Sequence, residues 1–133
     1  MSITGHCYCG NVSYEAKGPV FLKAECLCRE CQYITGGGSL HIIAVPLDGF
    51  ALTKGEVKGY KRADIEGAVT RQFCPNCGTH MFTRAPALAD AIIIKVGTLD
   101  DPSSINPVAN IWASSAPAWA CLDPQLERFE GQP

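Results

Sequence analysis

Seven of the eight cysteines fall in three short groups: Cys7 and Cys9, then Cys26, Cys28 and Cys31, then Cys74 and Cys77, with Cys121 alone. The first and third groups resemble each other. "CYCGNVSYEA" and "CPNCGTHMFT" both end the cysteines in Cys-Gly and run straight into a strand pattern. Glycine there relieves the backbone where a chain turns sharply round a metal, so that N–H groups can point at thiolate sulfur. Two such knuckles from distant parts of a chain supply four thiolates in a tetrahedron, the arrangement of a closed structural zinc site. Cys7, Cys9, Cys74 and Cys77 are assigned to it. A redox pair is the alternative for Cys74 and Cys77, because "CPNC" has the C-P-x-C form. Such motifs open a helix in a β-α-β unit, whereas here a strand pattern follows. Zinc is the default metal for reduced knuckles in a β domain, with iron as the alternative.

The middle group, "CLCREC", then has only three thiolates. Cys121, His6, His41 and His80 are the candidates for a fourth ligand. Cys121, in "WACLDP", reads better as a small buried apolar residue, and each histidine as an ordinary core or surface residue. A three-ligand zinc keeps an open position, the mark of a site that binds or activates something. Three thiolates on Zn²⁺ leave a net charge of about −1 and make it a weaker Lewis acid than zinc held by neutral histidines. Such a metal still takes a fourth soft thiolate readily, because coordination deprotonates a thiol outright. A small thiol is the natural external ligand, and glutathione is the abundant cytosolic one. Arg29 could receive a carboxylate of such a ligand, or merely offset thiolate charge beside Glu30. Gly36 and Gly37, with Gly38, permit close backbone approach to a ligand, or simply stop a helix. Trp112 and Trp119 either wall an apolar pocket near the metal or belong to the core.

The elements that position these residues read as strands. "NVSYEA" alternates with Val12, Tyr14 and Ala16 on one face. "VFLKAE", "SLHIIAV", "VTRQF", "THMFT" and "AIIIKV" are strand-length and rich in β-branched or aromatic residues. "RECQYIT" is the best short helix, "APALADA" a further helical turn, and "GTLDDPSSINP" a turn-rich connection. The fold class expected is one mainly β, largely antiparallel domain spanning residues 1–133, with short helical turns. Apolar residues make up 47% of the 133-residue chain and charged ones 18%, enough for a real core. The net charge of −2 gives no general pull toward nucleic acid or anionic membrane. The densest basic stretch, Lys54 to Arg62, reads as a solvated strand face. "ALADAIIIKV" is too short and too charged to cross a bilayer. "MSITGHCYCG" carries no secretory pattern, so a cytoplasmic location is expected, where thiols stay reduced.

With these residues in hand, "GHCYCGNVSYEA", "CLCRECQYITGG", "FCPNCGTHMF" and "KVGTLDDPSSINPVANIWASSAPAW" resemble the glutathione-dependent formaldehyde-activating enzyme family, which also contains centromere protein V. The resemblance runs from about Gly5 to Trp119 with the motifs in family order. It implies a β-tent fold, small sheets held together by zinc. It implies the same division of ligands, a closed site from the first and third groups and a second zinc on the middle triad. It also implies a carbon–sulfur lyase activity joining glutathione and formaldehyde reversibly as S-hydroxymethylglutathione. Two positions depart from the family pattern: Leu27 stands where histidine is frequent between the first two triad cysteines, and Asn110 where histidine precedes the "IW" pair. Neither change touches a metal ligand.

Overall fold

The computed structural model describes residues 2–133. Eleven strands form two sheets. The smaller contains β1 (Ser2–His6), β2 (Ser13–Lys17) and β5 (Phe50–Lys54) in the order β1-β2-β5. The larger contains β3 (Leu22–Cys26), β4 (Leu40–Pro46), β6 (Lys58–Tyr60), β7 (Thr70–Phe73), β8 (His80–Arg84), β9 (Ala91–Lys95), β10 (Ala109–Ile111) and β11 (Glu127–Arg128). Its order is β11-β10-β3-β4-β9-β8-β7-β6, an open sheet rather than a barrel. All pairings are antiparallel except those of β10, which runs parallel to both β3 and β11. The architecture is mainly β, as the residue patterns indicate.

Alternation along the strands divides the apolar residues between two cores. Ile43, Val45, Phe82, Ile92 and Ile94 face the small sheet and meet Ile3, Val12, Tyr14 and Ala16. Tyr14, Phe50 and Phe82 fill the middle, with Phe82 edge-on to both of the other rings at centroid separations of 5.0 and 4.8 Å. Ala24, Cys26, Leu40, Ile42, Ala109 and Ile111 form a second core on the other face. β4 and β9 are apolar on both sides because both faces are covered, which is why they read as runs rather than alternations.

The one α-helix among the described residues, α1 (Arg29–Thr35), lies over the second core. Cys28 is its N-cap and accepts a hydrogen bond from the Cys31 N–H at 3.3 Å. Gly36 ends it at φ 71°, a left-handed backbone that favours glycine, with its N–H donating to the Gln32 carbonyl. Gln32 is buried and donates to the carbonyls of Leu27 (2.9 Å) and Ser115 (3.0 Å), tying helix, triad loop and C-terminal segment together. The segment containing β11 returns over β10, where Trp112 N–H donates to the Gly131 carbonyl and Ala113 N–H to that of Phe129. Among the described residues, no helix is long and apolar enough to cross a membrane.

Candidate metal centres and an adjoining cavity

Cys7, Cys9, Cys74 and Cys77 bring their sulfur atoms within 4.8 Å of one another. The Sγ atoms of Cys7 and Cys9 are 3.7 Å apart, and those of Cys9 and Cys74 3.8 Å. The edge of a tetrahedron with 2.3 Å zinc–sulfur bonds is about 3.8 Å, so these spacings fit the ion. Both knuckles are built alike. Cys7 N–H donates to the Val12 carbonyl and Cys74 N–H to that of Thr79. Gly10 and Gly78, at φ 81° and 76°, close the turns by donating to the carbonyls of Cys7 and Cys74. The sulfurs also receive donors, from Val12 N–H to Cys7 and from the Asn76 amide to Cys9, both at 3.3 Å. The Thr79 hydroxyl donates to Cys77 and holds its thiol below the usual range. Cys7 and Cys74 are wholly buried and belong to the inter-sheet core.

Cys26, Cys28 and Cys31 form the second group, again with all sulfurs within 4.8 Å. Cys26 ends β3, Cys28 caps α1, and Cys31 sits one helical turn on. The thiols of Cys26 and Cys31 donate to Cys28 and, aided by the positive charge of Arg71, hold it well below the ordinary thiol range. Donating into Cys28 pushes Cys26 up, and Cys31 is raised by its bonds to both neighbours. Three thiolates this close require a cation, which the donor set suits. No other His, Cys, Asp or Glu ligand atom joins this group among the described residues. Each of the two groups could hold a metal ion.

The other candidates fall around the triad. The Arg29 guanidinium hydrogen-bonds the Gln32 side chain and stacks 4.9 Å from the centroid of the Tyr33 ring, on the exposed side. Gly36 and Gly37 are exposed at the end of α1, where Gly37 N–H donates to the Thr35 hydroxyl. Trp112 packs against the second core at φ 54°, the one left-handed non-glycine among the described residues. Leu27 is fully buried, its N–H donating to the Ile111 carbonyl. Asn110 is buried too, but pairs with Glu25 while Ile111 pairs with Cys26, so it lies on the sheet face opposite the triad. Two expectations are corrected. Cys121 is exposed, not buried, because the proline-punctuated C-terminal segment runs over the surface. Trp119 lies outside both cores, 71% exposed, with its ring against Gly38.

Two cationic residues, Arg71 and Lys95, were not singled out by motif reading. Arg71 on β7 pairs with Glu30 on α1 at 2.9 Å. Lys95, at the end of β9, is 4% exposed, and burial pushes its ammonium down to about 7. A cavity of about 360 Å³ is lined by Leu40, which begins β4 and pairs with Cys26, and by Lys95 at the end of β9, with no triad cysteine in its wall. Lys95, His41 and His80 line it. Burial lowers both imidazoles, and the nearby charge of Lys95 lowers His80 further. The one sequence signal was a lysine closing the apolar run "AIIIK", a charge where a buried strand should have none.

The sequence model of the family described as glutathione-dependent formaldehyde-activating enzyme matches residues 2–115, a span that holds both cysteine groups and the cavity. The chain belongs to this family. The match stops short of Cys121 and the β11 segment, so those lie outside the part shared with the glutathione-dependent formaldehyde-activating enzymes. No curated protein matches the chain. Among solved structures, the crystal structure of a Rhodobacter sphaeroides protein, a structural-genomics target, is similar at a TM-score of 0.61 and 18% identity. The similarity covers 78% of this chain and 91% of that one, and at this identity it speaks to the fold alone.

Proposed function

We propose that the chain is a two-zinc protein of the carbon–sulfur lyase type. It binds a small thiol, glutathione in the first instance, at the triad and handles that thiol's aldehyde adduct. Cys7, Cys9, Cys74 and Cys77 would hold a structural zinc, and Cys26, Cys28 and Cys31 a second one. The observation that carries this reading is the incompleteness of the triad: three gathered sulfurs with no fourth side-chain ligand within reach, next to a cavity. Bound at the triad, zinc would lower the pKa of an incoming thiol and supply the open position that receives it. The chain's own residues hold the three sulfurs in place, through the α1 N-cap, the Gln32 clamp and the end of β3. In the adduct-forming direction the thiol gives up its proton, its sulfur bonds the aldehyde carbon as the C=O π bond opens, and the oxygen takes up that proton; cleavage reverses each change. A small aldehyde such as formaldehyde fits a role in which the protein supplies mainly proximity. We further take residues 1–133 to act as one zinc-binding domain of the β-tent kind, working in the cytoplasm.

A non-catalytic thiol carrier is the second reading, and Leu27 favours it. It is buried and apolar at a position where the family pattern often places a proton-bearing histidine.

Replacing the metal with cobalt(II) and titrating glutathione tests thiol binding. A new thiolate charge-transfer band, absent in Cys28→Ser, is expected. A spectrum indifferent to glutathione would demote the protein to a structural zinc module. Adduct formation faster than the uncatalysed reaction then separates lyase from carrier.

A further inference from the structure

The lining of the cavity beside the triad is not explained by the cysteines. It includes Ser39, His41, Thr79, His80, Lys95 and Thr98, and it contains no aspartate or glutamate. Lys95 donates to the Thr83 hydroxyl, which satisfies one of the three N–H bonds of an ammonium. No carboxylate of the described residues lies within ion-pair distance of it. His41 Nε2 and His80 Nδ1 are buried without a hydrogen-bond partner. A buried ammonium and two unpartnered imidazole nitrogens are costly to keep unless something brings them an acceptor.

The sheet register says how this lining relates to the triad. Cys26 pairs with Leu40, and Lys95 with Ile42, so the two residues share one face of the sheet. They are two strands and two residues apart, about 12 Å between Cα atoms, and the Lys95 ammonium is directed to Thr83 on β8, the side of β9 away from the triad. A ligand held by sulfur at the triad would therefore reach Lys95 only with a group several bonds from that sulfur. The cavity is also the size of a small-ligand pocket.

We propose that Lys95, with His80, forms an anion subsite that receives a carboxylate of the ligand whose sulfur goes to the triad; His41, paired with Glu25, lies on the other face of the sheet. This rests on the thiol-binding reading of the triad given above. It makes the protein selective for carboxylate-bearing thiols over neutral ones, and assigns that selectivity to residues that ligate no metal. The rival role for Lys95 is to offset the negative charge of the metal-bound cysteines, in which case it would affect all thiols alike.

Probes that separate sulfur from carboxylate distinguish the two. S-Methylglutathione keeps both carboxylates but offers no thiolate, and 2-mercaptoethanol offers a thiolate but no carboxylate. Calorimetry on the zinc-loaded protein is expected to show S-methylglutathione binding, and its diethyl ester binding at least tenfold more weakly. This comparison uses the natural chain and does not depend on a variant folding. Lys95→Met is expected to weaken S-methylglutathione at least tenfold, and to leave the cobalt charge-transfer titration with 2-mercaptoethanol unchanged. Lys95→Arg should retain most of the binding. Equal binding of S-methylglutathione and its ester overturns the subsite, as does no binding of either. Equal weakening of S-methylglutathione and 2-mercaptoethanol by Lys95→Met overturns it in favour of the charge-offsetting role. If no thiol produces a band at cobalt while S-methylglutathione still binds through Lys95, the triad reading fails and the anion subsite stands.

Discussion

Cys7 and Cys74 have no exposed surface and sit in the aromatic core between the two sheets, whereas Cys28 is half-buried on the opposite face of the large sheet, under a seven-residue helix. The first group joins segments distant in sequence and gathers four sulfurs; the second lies within one loop and gathers three. The contrast shows one fold placing the same donor atom in two settings. One set of thiols is part of the packing and is numerous enough to complete a tetrahedron among its own members; the other, at a strand end and a helix cap, would leave a metal with a ligand position to fill.

The largest effect is expected from the closed group. Cys74→Ser removes a ligand whose site contributes folding free energy on the order of 10 kcal/mol, comparable to the whole stability of a domain of this size. Circular dichroism should show loss of the sheet signal, and a folded variant with an unchanged melting temperature would erase the distinction. Cys31→Ser should instead retain the sheet signal while losing one of two bound metal equivalents and the thiol response. A mild chelator should do the same to the natural protein, releasing the triad metal first; simultaneous release with unfolding would make both groups structural. Gln32→Ala leaves the carbonyls of buried Leu27 and half-buried Ser115 without this donor and should cost about 1–3 kcal/mol in a denaturant titration. It should also weaken metal binding at the triad more than at the four-cysteine group, and an equal loss at both would argue against the clamp. The smallest effect, about 1 kcal/mol, is expected from Tyr14→Phe. That change removes the 2.8 Å bond to the Thr98 hydroxyl across the inter-sheet core and should leave thiol binding intact, as a binding titration would show.

The residues themselves announced a good part of this arrangement. The helix "RECQYIT" is α1 residue for residue, and "AIIIKV" is β9 save for its last residue, because a cap, a left-handed glycine and a run of β-branched residues are local signals. The two cysteine groups also assemble as their spacing and knuckle form indicate. Much less legible were β1, β10 and β11, short strands whose pairing partners lie far along the chain. β10 in particular is three residues long and enters the sheet parallel to both neighbours, a register that nothing local in "VANIW" specifies. The cavity was hidden for the same reason. His41, His80 and Lys95 come from three strands, and only the sheet order brings them to one mouth.

The spacing of the two cysteine groups also bears on the order in which the molecule comes together. Cys26 to Cys31 form a contact of very low sequence separation, complete as soon as that loop has left the ribosome. Cys9 and Cys74 are 65 residues apart, so closing the other group must wait for most of the chain and meet a far larger loop-closure cost. During synthesis the three-cysteine group is therefore the first that can assemble, and the four-cysteine group can close only once residue 77 has emerged. The contact that brings Cys7 and Cys74 into the inter-sheet core is thus left to a later stage of folding.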